Sequence, residues 1–103
     1  RVGKSMEKEM NQLNKLDSRQ QLLVVTMEEC GELVQACSKI LRRRELYGDS
    51  KYIDNLKEEI GDVYCMIKLM QEHDVVSWEE LEERDKIKRE KLSKWSDLIS
   101  EKV

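Results

Sequence analysis

The chain has no proline among its 103 residues and only four glycines. No segment alternates polar and apolar residues long enough to read as a strand. These absences leave an all-α chain, most simply an antiparallel bundle of about four helices with short connections. A single histidine, His73, rules out an imidazole-rich transition-metal centre; its place near a helix end suits the dipole instead. The three cysteines, Cys30, Cys37 and Cys65, are odd in number and make no Cys-x-x-Cys pair. Neither a disulfide framework nor a zinc site is indicated, and their expected place is in the core. No apolar run approaches the roughly 18 residues of a membrane span, and no signal-peptide pattern opens the chain, so the expectation is a soluble, cytoplasmic protein. A net charge of -3, from 19 basic and 22 acidic residues, gives no electrostatic case for a nucleic-acid or anionic-membrane partner. No Ser, His, Asp set supports nucleophilic catalysis.

What the chain does have is charge, on 40% of its residues, and two clusters of it stand out. The first is Glu28-Glu29-Cys30-Gly31-Glu32 and the second is Glu58-Glu59-Ile60-Gly61-Asp62. Each is a pair of adjacent acids with another acid three residues on. At about 100° per helical residue, Glu29 and Glu32 fall roughly 60° apart, as do Glu59 and Asp62. Each pair therefore points its carboxylates the same way.

The clusters border apolar stripes. Leu22, Thr26, Cys30, Leu33, Cys37 and Ile40 form the expected core stripe of one helix, with Glu29 and Glu32 on its edge. Ile53, Leu56, Ile60, Val63, Ile67 and Met70 form that of the other, with Glu59 and Asp62 beside it. If the two helices pack, the acids converge, and carboxylates crowded in a partly dry site either take up protons or bind cations. An acidic run in a highly charged chain is usually a solvated helix face. The repetition of one pattern at one azimuthal offset argues for a site, and hard oxygen ligands suit Mg²⁺ or Mn²⁺ with water and substrate phosphates completing the shell.

In chain order, residues 1–5 read as a foreign remnant or a frayed terminus. Met6, Met10, Leu13 and Leu16 space as a short amphipathic helix, stopped near Asp17-Ser18, either of which can cap the next one. A long helix is expected from about Ser18 to Arg44. Tyr47-Gly48-Asp49-Ser50 has the composition of a turn. The preceding Arg42-Arg43-Arg44 run reads either as a phosphate contact or as cations placed favourably in a last helical turn. A third helix follows from about Lys51 to His73. Ser77-Trp78-Glu79-Glu80 matches a capping box, opening a fourth helix to about Ser100. Gly31 and Gly61, each costing about 1 kcal/mol in a helix interior, imply close helix approach or room for a ligand.

The string "EECGE" followed at this distance by "EEIGDV" resembles the Glu-Glu-x-x-Glu and Glu-x-x-Asp signature of the MazG-like all-α nucleoside triphosphate pyrophosphohydrolases, over about Ser18 to Trp95. The ending "KLSKW" is similar to the family's Lys-aromatic-x-basic stretch. The resemblance implies a MazG-like domain over residues 6–103 that cleaves a (deoxy)nucleoside triphosphate between its α and β phosphates. It implies Glu29, Glu32, Glu59 and Asp62 as Mg²⁺ ligands, with Mn²⁺ able to substitute, and Glu28 as holder of a further ion or of the attacking water. Lys91 and Lys94 would meet the phosphates, although Arg89 stands where relatives often carry an asparagine. Asn55, one turn before Glu58, is a candidate sugar or base contact. Short members of this family assemble as dimers or dimers of dimers. Self-association as a homodimer or homotetramer also follows from a second apolar set, including Leu23, Val34 and Leu41, that one small chain would leave wet. Two other readings remain open. A di-iron carboxylate bundle would need Glu-x-x-His, and Met70 stands three residues before His73; a non-catalytic helical interaction module would show no carboxylate-dependent Mg²⁺ binding.

Overall fold

The structure, a computed structural model, describes residues 13–99. It contains three helices and, among the described residues, no strand: α1 (Ser18–Arg43), α2 (Lys51–Glu72) and α3 (Trp78–Trp95). Residues 1–5, and Met6 and Met10 of the expected first helix, lie outside the described residues. Leu13 to Leu16 form a turn closed by the Leu16 N–H donating to the Leu13 carbonyl at 2.9 Å. The chain divides into two compact units, the first reaching Met70 and the second starting at Gln71.

The first unit is a hairpin of α1 and α2. Asp17 caps α1: its Oδ1 accepts from the Gln20 N–H at 2.8 Å, and Gln20 Oε1 accepts from the Asp17 N–H at 3.0 Å. Both bonds satisfy donors that a helix start leaves open. At the other end Arg44 adopts a left-handed φ of 57°. The Arg44 N–H donates to the Leu41 carbonyl and the Glu45 N–H to the Ile40 carbonyl, both at 3.3 Å, the pattern that ends many helices. The chain then reverses through Gly48, whose φ of 92° favours glycine. The Ser50 Oγ accepts from the Ile53 N–H at 3.2 Å to start α2. The helices run antiparallel, as the contacts show: the Arg43 guanidinium sits 4.7 Å from the Tyr52 ring centre near the connection, while Glu29 meets Asp62 further along.

The buried line of this hairpin departs from expectation. On α1 it comprises Leu22, Ala36 and Ile40, and on α2 Glu59 and Met66. At about 100° per residue this line is turned toward the acids by roughly 50° on α1, and further on α2. Cys30, Cys37 and Cys65 are therefore exposed rather than in the core, and Ile60 is 50% exposed. The apolar arc of each helix is wider than one neighbouring helix can cover, and the neighbour within the chain takes the edge that borders the acids. A methyl group added at Gly31 or Gly61 would meet no atom within 4 Å, so the expected close approach at these glycines does not occur within the chain.

The second unit holds α3. Ser77 Oγ accepts from the Glu80 N–H at 3.1 Å and Glu80 Oε1 from the Ser77 N–H at 2.9 Å, so the expected capping box is present. The helix ends at Trp95, short of Ser100, because Ser96 turns extended and directs both its N–H and its Oγ to the Leu92 carbonyl. A serine that bonds its own helix's backbone in this way competes with further turns. No residue of α3 is buried.

Candidate metal centre

The antiparallel pairing brings Glu29 of α1 opposite the Glu59–Asp62 turn of α2. One carboxylate oxygen from each of Glu29, Glu59 and Asp62 lies within 4.8 Å of the other two. Glu59 is only 4% exposed, and Glu29 Oε1 is buried. The cause is in the sequence: a three-residue spacing puts Glu59 and Asp62 on one side of α2, and the buried line of α1 runs through Glu29. Three carboxylates gathered this closely on facing helices are a group that could hold a divalent cation.

The donor set fits such an ion. All three groups are hard oxygen ligands of the kind that Mg²⁺ takes.

The other expected residues are distributed around this group. Glu32 is not one of the three, but with Glu59 and Asn55 it lines an adjoining cavity of about 380 Å³. Glu28 is half-buried and Glu58 exposed. Lys91 and Lys94 are exposed residues of α3 in the second unit. Arg89, on the same helix, donates from Nε to Asp85 Oδ2 at 2.9 Å. His73 is exposed and is not one of the grouped ligands.

The same cavity is lined by Gln35, Ala36 and Lys39, which sequence reasoning did not single out. The signal was there. Gln35 and Lys39 follow Glu32 by three and seven residues, so they continue its line along α1. Ala36, 2% exposed, is the small residue that leaves room between the helices.

Comparison with known families decides how this arrangement is to be understood: the family model described as the MazG nucleotide pyrophosphohydrolase domain matches residues 17–84. The chain belongs to the MazG family. No curated protein and no solved structure matches it. The matched stretch spans the whole α1–α2 hairpin and both acidic clusters and stops before Lys91 and Lys94. Both acidic clusters thus fall within the matched domain, and the three converging carboxylates form a group that could hold a metal ion. No helix among the described residues is long and apolar enough to cross a membrane.

Proposed function

We propose that this MazG domain hydrolyses a (deoxy)nucleoside triphosphate between the α and β phosphates, releasing nucleoside monophosphate and pyrophosphate in an Mg²⁺-dependent reaction. The observation that carries this reading is the convergence of Glu29, Glu59 and Asp62 from two facing helices to within 4.8 Å, beside a cavity with polar walls. Glu29, Glu59 and Asp62, with Glu32 at the cavity edge, would hold Mg²⁺, or Mn²⁺ in its place. When bound, the ion would neutralise charge on the triphosphate and, as a Lewis acid on its phosphoryl oxygens, make the phosphorus more electrophilic.

The remaining steps belong to side chains. Glu28 is assigned to the attacking water: it takes a proton as the water oxygen bonds to the α phosphorus and the bond from that phosphorus to the αβ-bridging oxygen breaks. The pyrophosphate leaves with the electron pair. Lys91 and Lys94 are assigned to its charge on the family resemblance. Asn55, with a donor and an acceptor on one carboxamide, is assigned to the sugar or base. We place the chain in a homodimer or homotetramer; the exposure of Leu23, Val34 and Leu41 supports self-association.

A screen of NTPs and dNTPs with Mg²⁺ or Mn²⁺, detecting pyrophosphate, tests class, chemistry and base preference together. Reaction in ¹⁸O water should label the monophosphate. Release of orthophosphate and nucleoside diphosphate would replace this reading with that of a γ-phosphatase, and no carboxylate-dependent Mg²⁺ binding would leave an interaction module.

A further inference from the structure

The cavity beside the three carboxylates has a direction. Glu59 belongs both to the carboxylate group and to the cavity wall, so the cavity begins at the proposed ion site. From there it runs toward the helix connection. On α1 the lining residues Gln35, Ala36 and Lys39 follow Glu32 by three, four and seven residues, which sets Lys39 about 10 Å further along the helix axis than Glu32. On α2, Asn55 precedes Glu59 by four residues, and between antiparallel helices that is a step of about 6 Å in the same direction. The contact of Arg43 with the Tyr52 ring marks the connection end.

The side chains change character in order along that course. Carboxylates stand at the near end, the carboxamides of Gln35 and Asn55 follow over the small Ala36, and the ammonium of Lys39 closes the far end at an exposed position. At about 380 Å³ the space falls at the lower end of the range for small-molecule sites, which suits a base with its sugar. The phosphates of a nucleotide gather around the ion that neutralises them. What reaches Lys39 is therefore the edge of the base farthest from the phosphates.

We infer that Lys39 is a specificity-determining residue, selecting bases that present a carbonyl oxygen at that edge over bases that present an amino group. The inference rests on the hydrolase reading above, which supplies the nucleotide, and adds which bases the site prefers. A carboxamide carries both donors and an acceptor and can turn to meet either kind of edge, whereas an ammonium has three donors and no acceptor. Of the polar side chains that line the cavity beyond the carboxylates, only Lys39 thus makes a fixed demand. Guanine and hypoxanthine meet it with O6 beside N7, and uracil and thymine meet it with O4. Adenine and cytosine set the N6 or N4 amino group there instead. An amino group facing an ammonium pairs neither donor and brings like partial charges together.

Two pairs of nucleotides isolate that edge. ITP and ATP differ at position 6 of the purine, and UTP and CTP at position 4 of the pyrimidine. The full chain is assayed with all four in Mg²⁺, and the affinities of their α,β-methylene analogues, which resist cleavage between those phosphates, are measured by calorimetry. Both kcat/KM and affinity should favour ITP over ATP and UTP over CTP by about tenfold, the worth of one charge-assisted hydrogen bond. Lys39→Met should level each pair by weakening the carbonyl-bearing member, and Lys39→Arg should keep the order, with helical circular dichroism retained in both. A wild type without the preference would overturn the inference, as would a preference that survives Lys39→Met. Equal losses on all four nucleotides in Lys39→Met would also overturn it, because they would make Lys39 a phosphate contact. Failure of the hydrolase reading looks different: no pyrophosphate appears from any nucleotide, while the analogue affinities still rank the two edges and decide for or against Lys39. Analogues that do not bind at all would overturn both.

Discussion

Helices α1 and α3 begin with the same device and come to opposite ends. Each opens with a capping box, Asp17 with Gln20 and Ser77 with Glu80. Yet α1 carries seven charged residues in 26, gathered on one side over most of its length, whereas α3 carries twelve in 18 and buries none of its residues. Acids on α1 are consequently forced together with those of α2, while acids on α3 remain in water. The lesson is that a carboxylate acquires chemistry from its neighbours' shape. Glu59 and Glu83 are the same residue type in similar helices, but only the first stands in a 4% exposed setting beside two other carboxylates.

Substitutions can break that contrast or sharpen it. The largest effect is expected at the proposed metal ligands: Glu29→Gln or Asp62→Asn should lower the proposed Mg²⁺-dependent hydrolysis by at least about 10²-fold, with helical circular dichroism retained. Glu83→Gln on α3 should change the rate little in the same assay. Next comes packing. Ile40→Ala, at a 5% exposed position, should cost about 2–5 kcal/mol in a denaturant titration, against under about 1 kcal/mol for Ile87→Ala on α3. Removing the cavity-lining cation by Lys39→Ala should raise KM several-fold with kcat nearly unchanged, the signature of a contact made equally in the ground and transition states; the same change at Lys86 should leave KM unchanged. Asp17→Ala and Ser77→Ala should each cost about 1 kcal/mol. Hydrogen exchange should spread the first loss over the hairpin and confine the second to α3. Smallest of all, Asp85→Asn breaks the exposed pair with Arg89, worth about 0.5 kcal/mol or less.

The starts of the three described helices, and the ends of α1 and α2, were legible in the sequence to within a residue or two. Ser18 and Lys51 open their helices where capping and turn residues indicated, and the turn at Gly48 and the Ser77 box are present. The grouping of Glu29 with Glu59 and Asp62 was legible too, because three-residue spacing fixes azimuth. What the sequence did not settle was which edge of a wide apolar arc the neighbouring helix would take. Cys30 and Ile60 looked like core because they sit at the arc's centre, and a single sequence does not say that the neighbouring helix takes the edge and leaves the centre exposed. Glu32 stayed outside the three-carboxylate group for the same reason. Its position on α1 was clear, but its distance from α2 depends on how far the buried line turns. The end of α3 was misplaced by a local competition at Ser96 that periodicity does not register.

The burial of Glu59 beside Glu29 and Asp62 would also tie folding to ion supply. Any divalent ion that these three carboxylates hold together adds its binding free energy to the stability of the hairpin. At a free ion concentration a hundred times the Kd that addition is about 2.7 kcal/mol, a large share of what a small domain has. If the three carboxylates hold Mg²⁺ as proposed, the melting temperature of this protein should rise with free Mg²⁺ in the absence of any nucleotide.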